Sequence, residues 1–398
     1  MSTYCYKLEN VRESDRNFFV DMLSYISECI TDIKCLSDAV EIEYEGTDEA
    51  HIRESVEKLV DMINVKLSKM DDKVAVKTLE DHTECSTLNN DDVFEEMLDK
   101  GIVREISSGA YAYSGIFLKV FKYFSKKIEE QMDIIFPEYE KIEMEVPTLT
   151  PIADYNEGKY FESFPHHIMF QTTMKNDIDV IDEFSKNGIQ DESFFTNIRP
   201  PKNVMRTAAC VPVYPSLRGK RIAGAEPKCV LVSGKCFRNE GINVTELSRL
   251  NEFYMKEYVF IGTPDQAKSC IERACALWSF WADKFKLNCK IETANDSFFA
   301  SNYKKLQLFQ LIGDSKREFK WLVPGSKSYI SCSSANFHRT HFTKVYDIKT
   351  KESGAYCHTS CFAFGIERLA YALLSQKGLD TSKWDKETYE EINKYCRL

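Results

Sequence analysis

The first 75 residues alternate between a helical and a strand-like hydrophobic period. Apolar residues recur three and four positions apart in FFVDMLSYISECI (residues 18–30) and HIRESVEKLVDMINVKL (51–67), whereas AVEIEYEG (39–46) alternates apolar and polar positions. The first pattern is typical of amphipathic helices and the second of a strand with one buried face. The sequence therefore predicts a small α+β unit at the start of the chain.

More helical patterns follow an Asn- and Asp-rich stretch. VFEEMLDKG (93–101) comes directly after residues suited to a helix N-cap and ends in a glycine. A longer amphipathic pattern over 114–136 stops before Pro137, because proline cannot continue a helix. KIEMEVPTL (141–149) then alternates like a strand, and its proline belongs at a strand end or a sheet edge.

Beyond residue 200 strand patterns dominate. Strands are predicted over 228–240, 253–262, 328–334 and 341–349, and long helices over 264–286 and 361–378. Consecutive strands flanked by long helices favour an antiparallel sheet with helices packed against it. A doubly wound nucleotide-binding fold would begin with a glycine-rich loop, which this sequence lacks. We predict an α+β protein with an N-terminal domain over residues 1–90 and a larger domain over 91–398.

Composition and charge narrow the class of protein. The chain has 398 residues, of which 43% are hydrophobic and 29% charged, and this argues against wholesale disorder. It has no secretion signal and no apolar run of the roughly 20 residues that span a bilayer, so we expect a cytoplasmic protein without membrane contact. Fourteen cysteines without a regular framework are expected to be reduced thiols. The net charge of −10 argues against a broad nucleic-acid-binding face.

The segment FRNE carries residue types that can hold a nucleotide without a glycine-rich loop. A strand period would place Arg238 and Glu240 on one face, where the arginine can bind a phosphate and the glutamate can accept from an adenine amine. Arg249 and Phe253 add a second cation and a ring that can stack on the base. A surface Arg–Glu pair beside a core phenylalanine explains FRNE alone equally well.

The C-terminal segment AFGIERL supports the nucleotide interpretation. Gly365 leaves room for a ligand at the entry of a predicted helix, and Arg368 can meet a phosphate there. FRNE with its downstream Arg249 and Phe253 resembles motif 2 of the class II aminoacyl-tRNA synthetases, and AFGIERL resembles their motif 3. The predicted helix over 114–136 and the strand after it are placed like motif 1, the dimer-forming element.

This resemblance implies an antiparallel sheet core, a homodimer, bound ATP with Mg²⁺, and formation of an aminoacyl-adenylate. It implies that Arg238 contacts the α-phosphate and that Phe253 stacks on adenine with Glu240 nearby. It also implies that Arg368 and Arg249 reach the terminal phosphates. The catalytic roles then fall to Arg238 and Arg368.

Further segments narrow the resemblance. ISCSSANFH (330–338) resembles the serine-cysteine-serine-asparagine segment of seryl-tRNA synthetases. Taken in order, KYFESFPHHIMF, AACVPVYPSL, YMKEYVFIG and TSCFAFGIERLA resemble the amino acid:[carrier protein] ligases, truncated seryl-synthetase relatives that charge a carrier protein instead of tRNA. The glutamate that helps to hold magnesium in seryl synthetases has no counterpart in GSKSYISCSS. The candidate substrate pocket is lined by Ser331, Ser333, Asn336 and His167. For His167, packing beneath the pocket is the alternative, and it is slightly favoured.

A metal site is also implied by the resemblance. Cys210, Glu257 and Cys361 lie in the segments ACVP, KEYV and SCFA, and a set of two thiolates and a carboxylate suits Zn²⁺ with an open fourth position. In the resembled family such a zinc binds the amino group of the amino acid. Cys357 and His358 are rival ligands, and Cys361 is preferred because it aligns with the family motif.

Three functions fit these observations. The first is an enzyme that adenylates a small amino acid, with glycine or alanine favoured and serine an alternative, and transfers it to the phosphopantetheine thiol of a carrier protein. The second is a zinc-dependent seryl-tRNA synthetase, against which stand the acidic balance and the lack of a heptad repeat or a basic face in residues 1–90. The third is a non-catalytic synthetase-like module, against which stands the presence of every residue type expected to contact ATP.

Overall fold

The N-terminal residues form a small α+β unit with a core of its own. The computed structural model describes residues 1–64, 76–294 and 315–398. The unit consists of β1 (Ser2–Lys7), α1 (Arg16–Leu23), β2 (Ile30–Cys35), β3 (Ala39–Tyr44) and α2 (Glu49–Asn64). Its three strands form an antiparallel sheet in the order β1-β3-β2. Apolar side chains from both helices and the sheet close the core, among them Phe19, Ile42 and Ile52.

The sequence pattern predicted the class of this unit but not every element. The helix predicted over 18–30 ends at Leu23, and Ile30 is already the first residue of β2. Its apolar period continued through Tyr25 and Ile26 because both residues pack against the same core from a turn. The predicted continuation of α2 over 65–67 lies outside the described residues.

The remainder of the chain is built around one large sheet. The strands of this part of the chain, which include those of smaller sheets, are β4 (Thr78–Asp81), β5 (Val103–Ser107), β6 (Ala110–Tyr113), β7 (Glu140–Glu143), β8 (Leu149–Pro151), β9 (Met169–Gln171), β10 (Asn203–Met205), β11 (Arg221–Ile222), β12 (Lys228–Phe237), β13 (Glu252–Gly262), β14 (Cys289–Thr293), β15 (Lys316–Val323), β16 (Ser328–Arg339), β17 (Lys349–Thr350) and β18 (His358–Gly365). Its helices are α3 (Val93–Asp99), α4 (Gly115–Ile135), α5 (Ile152–Glu157), α6 (Tyr160–Ser163), α7 (Ile178–Asn187), α8 (Val213–Ser216), α9 (Pro264–Lys284), α10 (His341–Val345), α11 (Ile366–Lys377) and α12 (Lys386–Cys396).

The large sheet has eight strands in the order β4-β14-β15-β16-β18-β13-β12-β7. Neighbouring strands are antiparallel except β7 and β12, which are parallel. The predicted fold class, an antiparallel sheet flanked by helices beside a small α+β unit, is confirmed. The domain boundary near residue 90 stays a prediction, although β4, which precedes it, pairs at the edge of the large sheet.

The two faces of the large sheet are covered differently. The long helices α4, α9 and α11 pack on one face over a large aromatic core that includes Trp278, Trp281 and Trp321. The other face carries a smaller apolar cluster with Val232, Val259 and shorter segments of chain above it. None of the helices in the described part of the chain is both long and apolar enough to cross a lipid bilayer. All fourteen cysteines are free thiols, and the exposed ones are Cys5 and Cys35 of the N-terminal unit.

The helices predicted over 93–101, 114–136 and 264–286 are confirmed as α3, α4 and α9. The Asp92 side chain caps α3 by accepting from the N–H groups of Phe94 and Glu95. At the start of α9, Thr263 and Gln266 exchange side-chain-to-backbone hydrogen bonds in a capping box. The helix predicted over 114–136 is α4. Local capping chemistry is readable from sequence, and these boundaries were therefore predicted to within two residues or so.

Two predicted elements need correction. Residues 341–349 form the short helix α10 and the two-residue strand β17 instead of one strand. The helix predicted over 361–378 begins only at Ile366, because Cys361 to Gly365 pair with β13 and β16. It is followed by a further helix, α12. Both α10 and β18 consist of apolar and β-branched runs in which short helices and buried strands have similar patterns.

One close approach inside β12 constrains the backbone there. Gly234 has a φ of +133°, and a Cβ on it would lie 2.2 Å from Nη2 of Arg206. The Arg206 side chain is buried and donates to the carbonyl oxygens of Lys235 (2.9 Å), Ser233 (3.1 Å) and Val146 (3.4 Å). The hydrogen bonds of Arg206 therefore hold β12 against the segment before β8. Only glycine fits at position 234, beneath the Arg206 guanidinium.

We expect Gly234→Ala to destabilise the fold by about 2–4 kcal/mol, the sum of a strained φ and weakened buried hydrogen bonds of Arg206. Thermal unfolding of the purified variant measures the effect. The matched control is Gly354→Ala, which also has a positive φ (+66°) but no atom within 4 Å of the added Cβ, and which should cost about 1 kcal/mol. Equal losses in the two variants would contradict the role given to Arg206.

Candidate functional site

The candidate site lies on the sheet face opposite the long helices. Because side chains alternate along a strand, Glu257 of β13 and Cys361 of β18 face this side, whereas their neighbours Tyr258 and Phe362 pack in the helix-covered core. The pairing of β13 with β18 places Val259 opposite Cys361. The two functional candidates are thus diagonal neighbours on adjacent strands.

The predicted placement of Arg238 and Glu240 on one strand face is wrong. β12 ends at Phe237, so both residues lie in the connection to β13. That connection is fixed by Asn251, whose carbonyl oxygen accepts from the Arg238 N–H (3.0 Å) and whose Oδ1 accepts from the Glu240 N–H (2.8 Å). Arg238 and Glu240 nevertheless both interact electrostatically with Arg368. The connection therefore places Arg238 and Glu240 near Arg368, at one end of the sheet.

Arg238, Phe253 and Arg368 converge at this end, as predicted from the sequence. The guanidinium carbon of Arg238 lies 5.2 Å from the ring centroid of Phe253, a cation–π distance. Arg368 donates from Nε to the Ser248 carbonyl (2.6 Å) and from Nη1 to the Ser331 carbonyl (2.9 Å). Burial, and then the nearby Arg238, lower the pKa of Arg368. An anion placed between the two arginines would relieve this repulsion.

Arg249 has a different partner from the one expected. Its Nη1 and Nη2 donate to Oδ1 and Oδ2 of Asp21 in the N-terminal unit, each at 3.2 Å. Its Nε lies 3.6 Å from Oε2 of the buried Glu240. Burial is the largest single influence and lowers the pKa of Arg249, but Asp21 and Glu240 together outweigh it, and the pKa of Arg249 is raised. The pairing of Arg249 with Asp21 was not predictable from the sequence, because the two residues are 228 positions apart.

His167 lies next to these charges but is neutral. Its Nδ1 is 3.9 Å from Oε1 of Glu240, close enough for an ion pair only if the ring is protonated. Burial, and then Arg238, lower the pKa of His167 to about 3, so we assign no ion pair at neutral pH. The His166 ring lies beside the His167 ring in a tilted arrangement, with centroids 4.0 Å apart. His167 therefore borders the nucleotide end of the site as a neutral ring.

Cys210, Glu257 and Cys361 meet in a buried cluster, which we call the thiol–carboxylate cluster. The Cys210 N–H donates to Oε2 of Glu257 at 2.9 Å, and the thiols of Cys210 and Cys361 both hydrogen bond to that carboxylate. Each residue is less than 10% exposed. Burial raises the pKa of Glu257, and burial and then Glu257 raise the pKa of Cys210 well above its ordinary value.

His338 lies next to this cluster. Its Nε2 lies 3.5 Å from the Cys361 sulfur, and its Nδ1 lies 3.3 Å from the Tyr214 hydroxyl. The rival ligands are elsewhere: His358 stacks with Phe337 at the far end of β18, and the Cys357 N–H bonds to the Ile348 carbonyl. The structure thus favours Cys361 over both rivals.

The serine-rich strand β16 is split between the two faces. Asn336 faces the site, where its Nδ2 donates to the Cys361 sulfur (3.4 Å) and to the Ser334 hydroxyl (3.2 Å). Ser333 faces the opposite side: its hydroxyl donates to the Ala363 carbonyl (2.7 Å) and accepts from the indole of Trp278 (2.9 Å). Ser333 therefore belongs to the core, not the pocket, and Ser334 takes the place predicted for it. Ser331 contacts the arginine end of the site through its backbone carbonyl, which accepts from Nη1 of Arg368.

The cluster has the donor chemistry of a zinc site without the geometry of an assembled one. Over the described ranges 1–64, 76–294 and 315–398, no group of three or more His, Cys, Asp or Glu side chains is arranged to hold a metal ion. The thiols instead donate their protons to Glu257. Two sulfurs, a carboxylate and a neighbouring imidazole are a set that Zn²⁺ accepts once the thiols are deprotonated.

A buried carboxyl supports the arginine end of the site. Both oxygens of Glu367 accept from the Tyr254 N–H, each at 2.9 Å, and Nζ of Lys235 lies 3.8 Å away. Glu367 is 1% exposed, and burial raises its pKa to about 7 in spite of Lys235. It ties the first turn of α11, which carries Arg368, to the start of β13.

Comparison with known proteins agrees with this architecture. Residues 205–377 match the model of the tRNA synthetase class II core domain (G, H, P, S and T). The fold is similar over 98% of this chain and 77% of the other to Methanopyrus kandleri SerRS, crystallised with Aquifex aeolicus tRNASec, with a TM-score of 0.70 and 22% sequence identity. The fold and the arginine cluster together define a class II aminoacyl-tRNA synthetase core.

Two sequences narrow the class to a family. Amino acid:[acyl-carrier-protein] ligase 1 of Bradyrhizobium diazoefficiens is 28% identical over 307 residues, 74% of this chain and 87% of that protein. Ligase 2 of the same organism is 31% identical over 255 residues, 61% of this chain and 71% of that protein. The chain belongs to the amino acid:[acyl-carrier-protein] ligase family, and it is an enzyme of the ligase class.

The buried Glu367 generates a pH-dependent prediction. Its folded-state pKa of about 7 lies above the ordinary 4.5, so an unfolded chain releases this proton at lower pH than the folded one. The carboxyl therefore makes the folded state progressively less stable as pH rises from about 4.5 to about 7. We expect the Tm of Glu367→Gln, minus that of the parent, to increase across this window.

The slope with pH is the readout, because glutamine also removes one acceptor for the Tyr254 N–H and shifts the Tm at every pH. Melting curves at pH 5 and pH 8 suffice. Glu390→Gln, which alters an exposed carboxylate on α12, serves as the control. A difference between Glu367→Gln and parent that is the same at both pH values contradicts the raised pKa.

Proposed function

We propose that this ligase activates a small amino acid with ATP as its aminoacyl-adenylate and passes it to the phosphopantetheine thiol of a carrier protein. The observation that carries the proposal is the convergence of Arg238, Phe253 and Arg368 at one end of the sheet, where the charge of Arg238 also acts on Glu257 of the thiol–carboxylate cluster. A nucleotide and an amino acid bound at these two places would meet between them. The family relationship supports the carrier protein as acceptor.

In the activation step, a carboxylate oxygen of the amino acid attacks the α-phosphorus of ATP and the bond to pyrophosphate breaks. Arg238 stabilises the charge that develops on the α-phosphate, and Arg368 stabilises the pyrophosphate that leaves. Phe253 holds the adenine by stacking, with Glu240 beside it. The substrate carboxylate is already ionised at neutral pH, so the step needs no general base.

In the transfer step, the sulfur of the phosphopantetheine attacks the acyl carbon of the mixed anhydride. A carbon–sulfur bond forms, the bond to the AMP oxygen breaks, and the thiol proton passes to solvent. The products are an aminoacyl thioester on the carrier protein and AMP. Because the adenylate is already activated, the enzyme has only to orient the thiol.

Cys210, Glu257 and Cys361 would hold Zn²⁺, with His338 next to them. When bound there, Zn²⁺ supplies a Lewis-acid position for the free amino group of the substrate. Such a site selects α-amino acids over hydroxy acids. Mg²⁺ would be carried by the ATP phosphates, since Glu318, which pairs in the sheet with Ser334, is already ion-paired to Lys316 at 3.1 Å.

A small side chain fits the surroundings of the cluster best. Tyr160 and Tyr214 lie close enough to Cys210 to interact with it electrostatically, and Tyr214 is fully buried. Phe342 stacks on Tyr214 with ring centroids 4.0 Å apart. Bulky aromatic side chains beside the cluster support a small amino acid as substrate, glycine or alanine, with serine as the alternative.

A seryl-tRNA synthetase activity is the second candidate, favoured by the fold likeness to SerRS that extends over nearly the whole chain. The net charge of −10 weighs against it. A homodimer formed through α4 is part of both proposals.

A panel of amino-acid-dependent ATP–pyrophosphate exchange reactions tests the two proposals together. Total tRNA and a phosphopantetheinylated carrier protein are then offered as acceptors of labelled amino acid. Transfer to the carrier supports the ligase reaction, and transfer to tRNA supports the second candidate. No exchange with any amino acid would reject both.

Arg238→Ala should lower the rate of pyrophosphate exchange by about 100-fold or more, as expected when one donor to a developing charge is removed. The control is Arg221→Ala, which removes an arginine from an exposed ion pair with Asp347. A variant at position 238 that exchanges as fast as the parent would refute the phosphate role.

Cys361→Ala should remove bound zinc and abolish amino-acid activation while the protein stays folded, because it deletes one of three ligands. Zinc content is measured by mass spectrometry of the purified protein, and folding by its melting curve. Cys357→Ala is the matched control, a buried thiol four residues away on the same segment. Zinc retained at full stoichiometry in Cys361→Ala would show that the ligand set is different.

A further inference from the structure

The N-terminal unit reaches the candidate nucleotide site through the last turn of α1 and the residues after it. Asn243, in the connection between β12 and β13, donates from Nδ2 to the Asp21 carbonyl (3.0 Å) and to the Ser24 hydroxyl (2.6 Å). The Tyr25 hydroxyl donates to the Asn239 carbonyl at 3.1 Å. This contact fixes the position of the turn without help from the Asp21 side chain.

The same turn also touches the histidine side of the site. The Tyr25 ring meets the His166 ring edge-on, with centroids 4.9 Å apart. Burial, followed by the charge of Glu240, raises the pKa of Tyr25 to about 12. Tyr25 thus lies in the same electrostatic environment as the residue assigned to adenine.

The Asp21 carboxylate occupies the end of Arg249 that a phosphate would use. Two oxygens of one carboxylate face Nη1 and Nη2 of the guanidinium, each at 3.2 Å, and this is the forked geometry with which arginine also binds phosphate. Glu240 faces Nε of the same guanidinium at 3.6 Å. Asp21 and Glu240 together neutralise Arg249, so that with the N-terminal unit docked this guanidinium offers no net positive charge to a phosphate.

We infer that Asp21 and a nucleotide phosphate compete for Arg249, so that docking of the N-terminal unit and binding of ATP oppose each other. The inference rests on the proposed use of ATP. When a phosphate takes the guanidinium, the freed Asp21 carboxylate lies beside it, and repulsion weakens the hold of the turn on the connection. By linkage, whatever releases the unit tightens ATP binding by the same factor.

The first test is calorimetric titration of the full chain with AMP-PNP, a non-hydrolysable ATP analogue. Asp21→Asn keeps the size of the side chain but lacks the charge, and we expect it to bind the nucleotide about fivefold to tenfold more tightly, the effect of one partly exposed charge-assisted pair. In pyrophosphate exchange, the KM for ATP should fall by a similar factor with little change in kcat. Asp15→Asn is the control, since Asp15 pairs with Arg12 inside the N-terminal unit.

The outcomes separate the inference from the proposed function. Weaker nucleotide binding by Asp21→Asn would mean that Asp21 orients Arg249 for ATP, and unchanged binding would mean that the pair is indifferent to it. Either result overturns the competition while leaving ATP-dependent activation intact. If the parent and both variants bind no nucleotide, the proposed function fails and the inference falls with it.

Amide hydrogen exchange on the parent protein gives a second test that needs no variant. Saturating AMP-PNP should speed exchange of the backbone amides of residues 21–26, because the turn is released. Exchange of residues 49–63 in α2, which packs on α1 and β1 inside the N-terminal unit, serves as the internal control. Slower exchange of residues 21–26 with nucleotide would show that ATP tightens the contact, and would overturn the inference.

Discussion

The antiparallel register of β12 with β13 is the constraint on which the rest of the site depends. It joins ten residue pairs from Lys228–Ile261 to Phe237–Glu252. A slip of one residue would move Glu257 into the aromatic core and Tyr258 into the site, because side chains alternate along a strand. Arg206 donates to the backbone carbonyls on either side of Gly234 and to that of Val146, and these hydrogen bonds stabilise β12 in this pairing. The position of Phe253 against Arg238 is a consequence of this pairing.

Burial gives the two ends of the site opposite chemical characters. At the arginine end, desolvated cations lower one another's tendency to carry charge, and Arg368 is the clearest case. At the other end, burial raises the pKa of Glu257 and of the Cys210 thiol. One end is therefore suited to a polyanion and the other to a cation that can replace protons. An amino acid with its carboxylate toward the arginines and its amine toward the sulfurs matches this polarity.

Sequence reasoning succeeded where local signals or a motif carried the information. A capping signal located α3, the helical period located α4, and the motifs singled out Arg238, Phe253 and Arg368, which the fold brings together at one end of the sheet. It failed where a strand boundary or a bulge decided the outcome. The register shift between Phe319 and Lys320 in β15 changes which serines of β16 face the site, so Ser333 points to the core. Long-range pairs such as Asp21 with Arg249 have no signal in a single sequence.

The distribution of thiols has a practical consequence. The cysteines of the thiol–carboxylate cluster are buried, burial raises the pKa of the Cys210 thiol, and a thiol reacts with electrophiles as its thiolate. Cys5 and Cys35, on two different strands of the N-terminal unit, are the exposed ones. A maleimide fluorophore would therefore attach to that unit and spare the site. The fold thus supplies natural attachment points for an optical probe that follows how the N-terminal unit moves against the catalytic sheet during turnover.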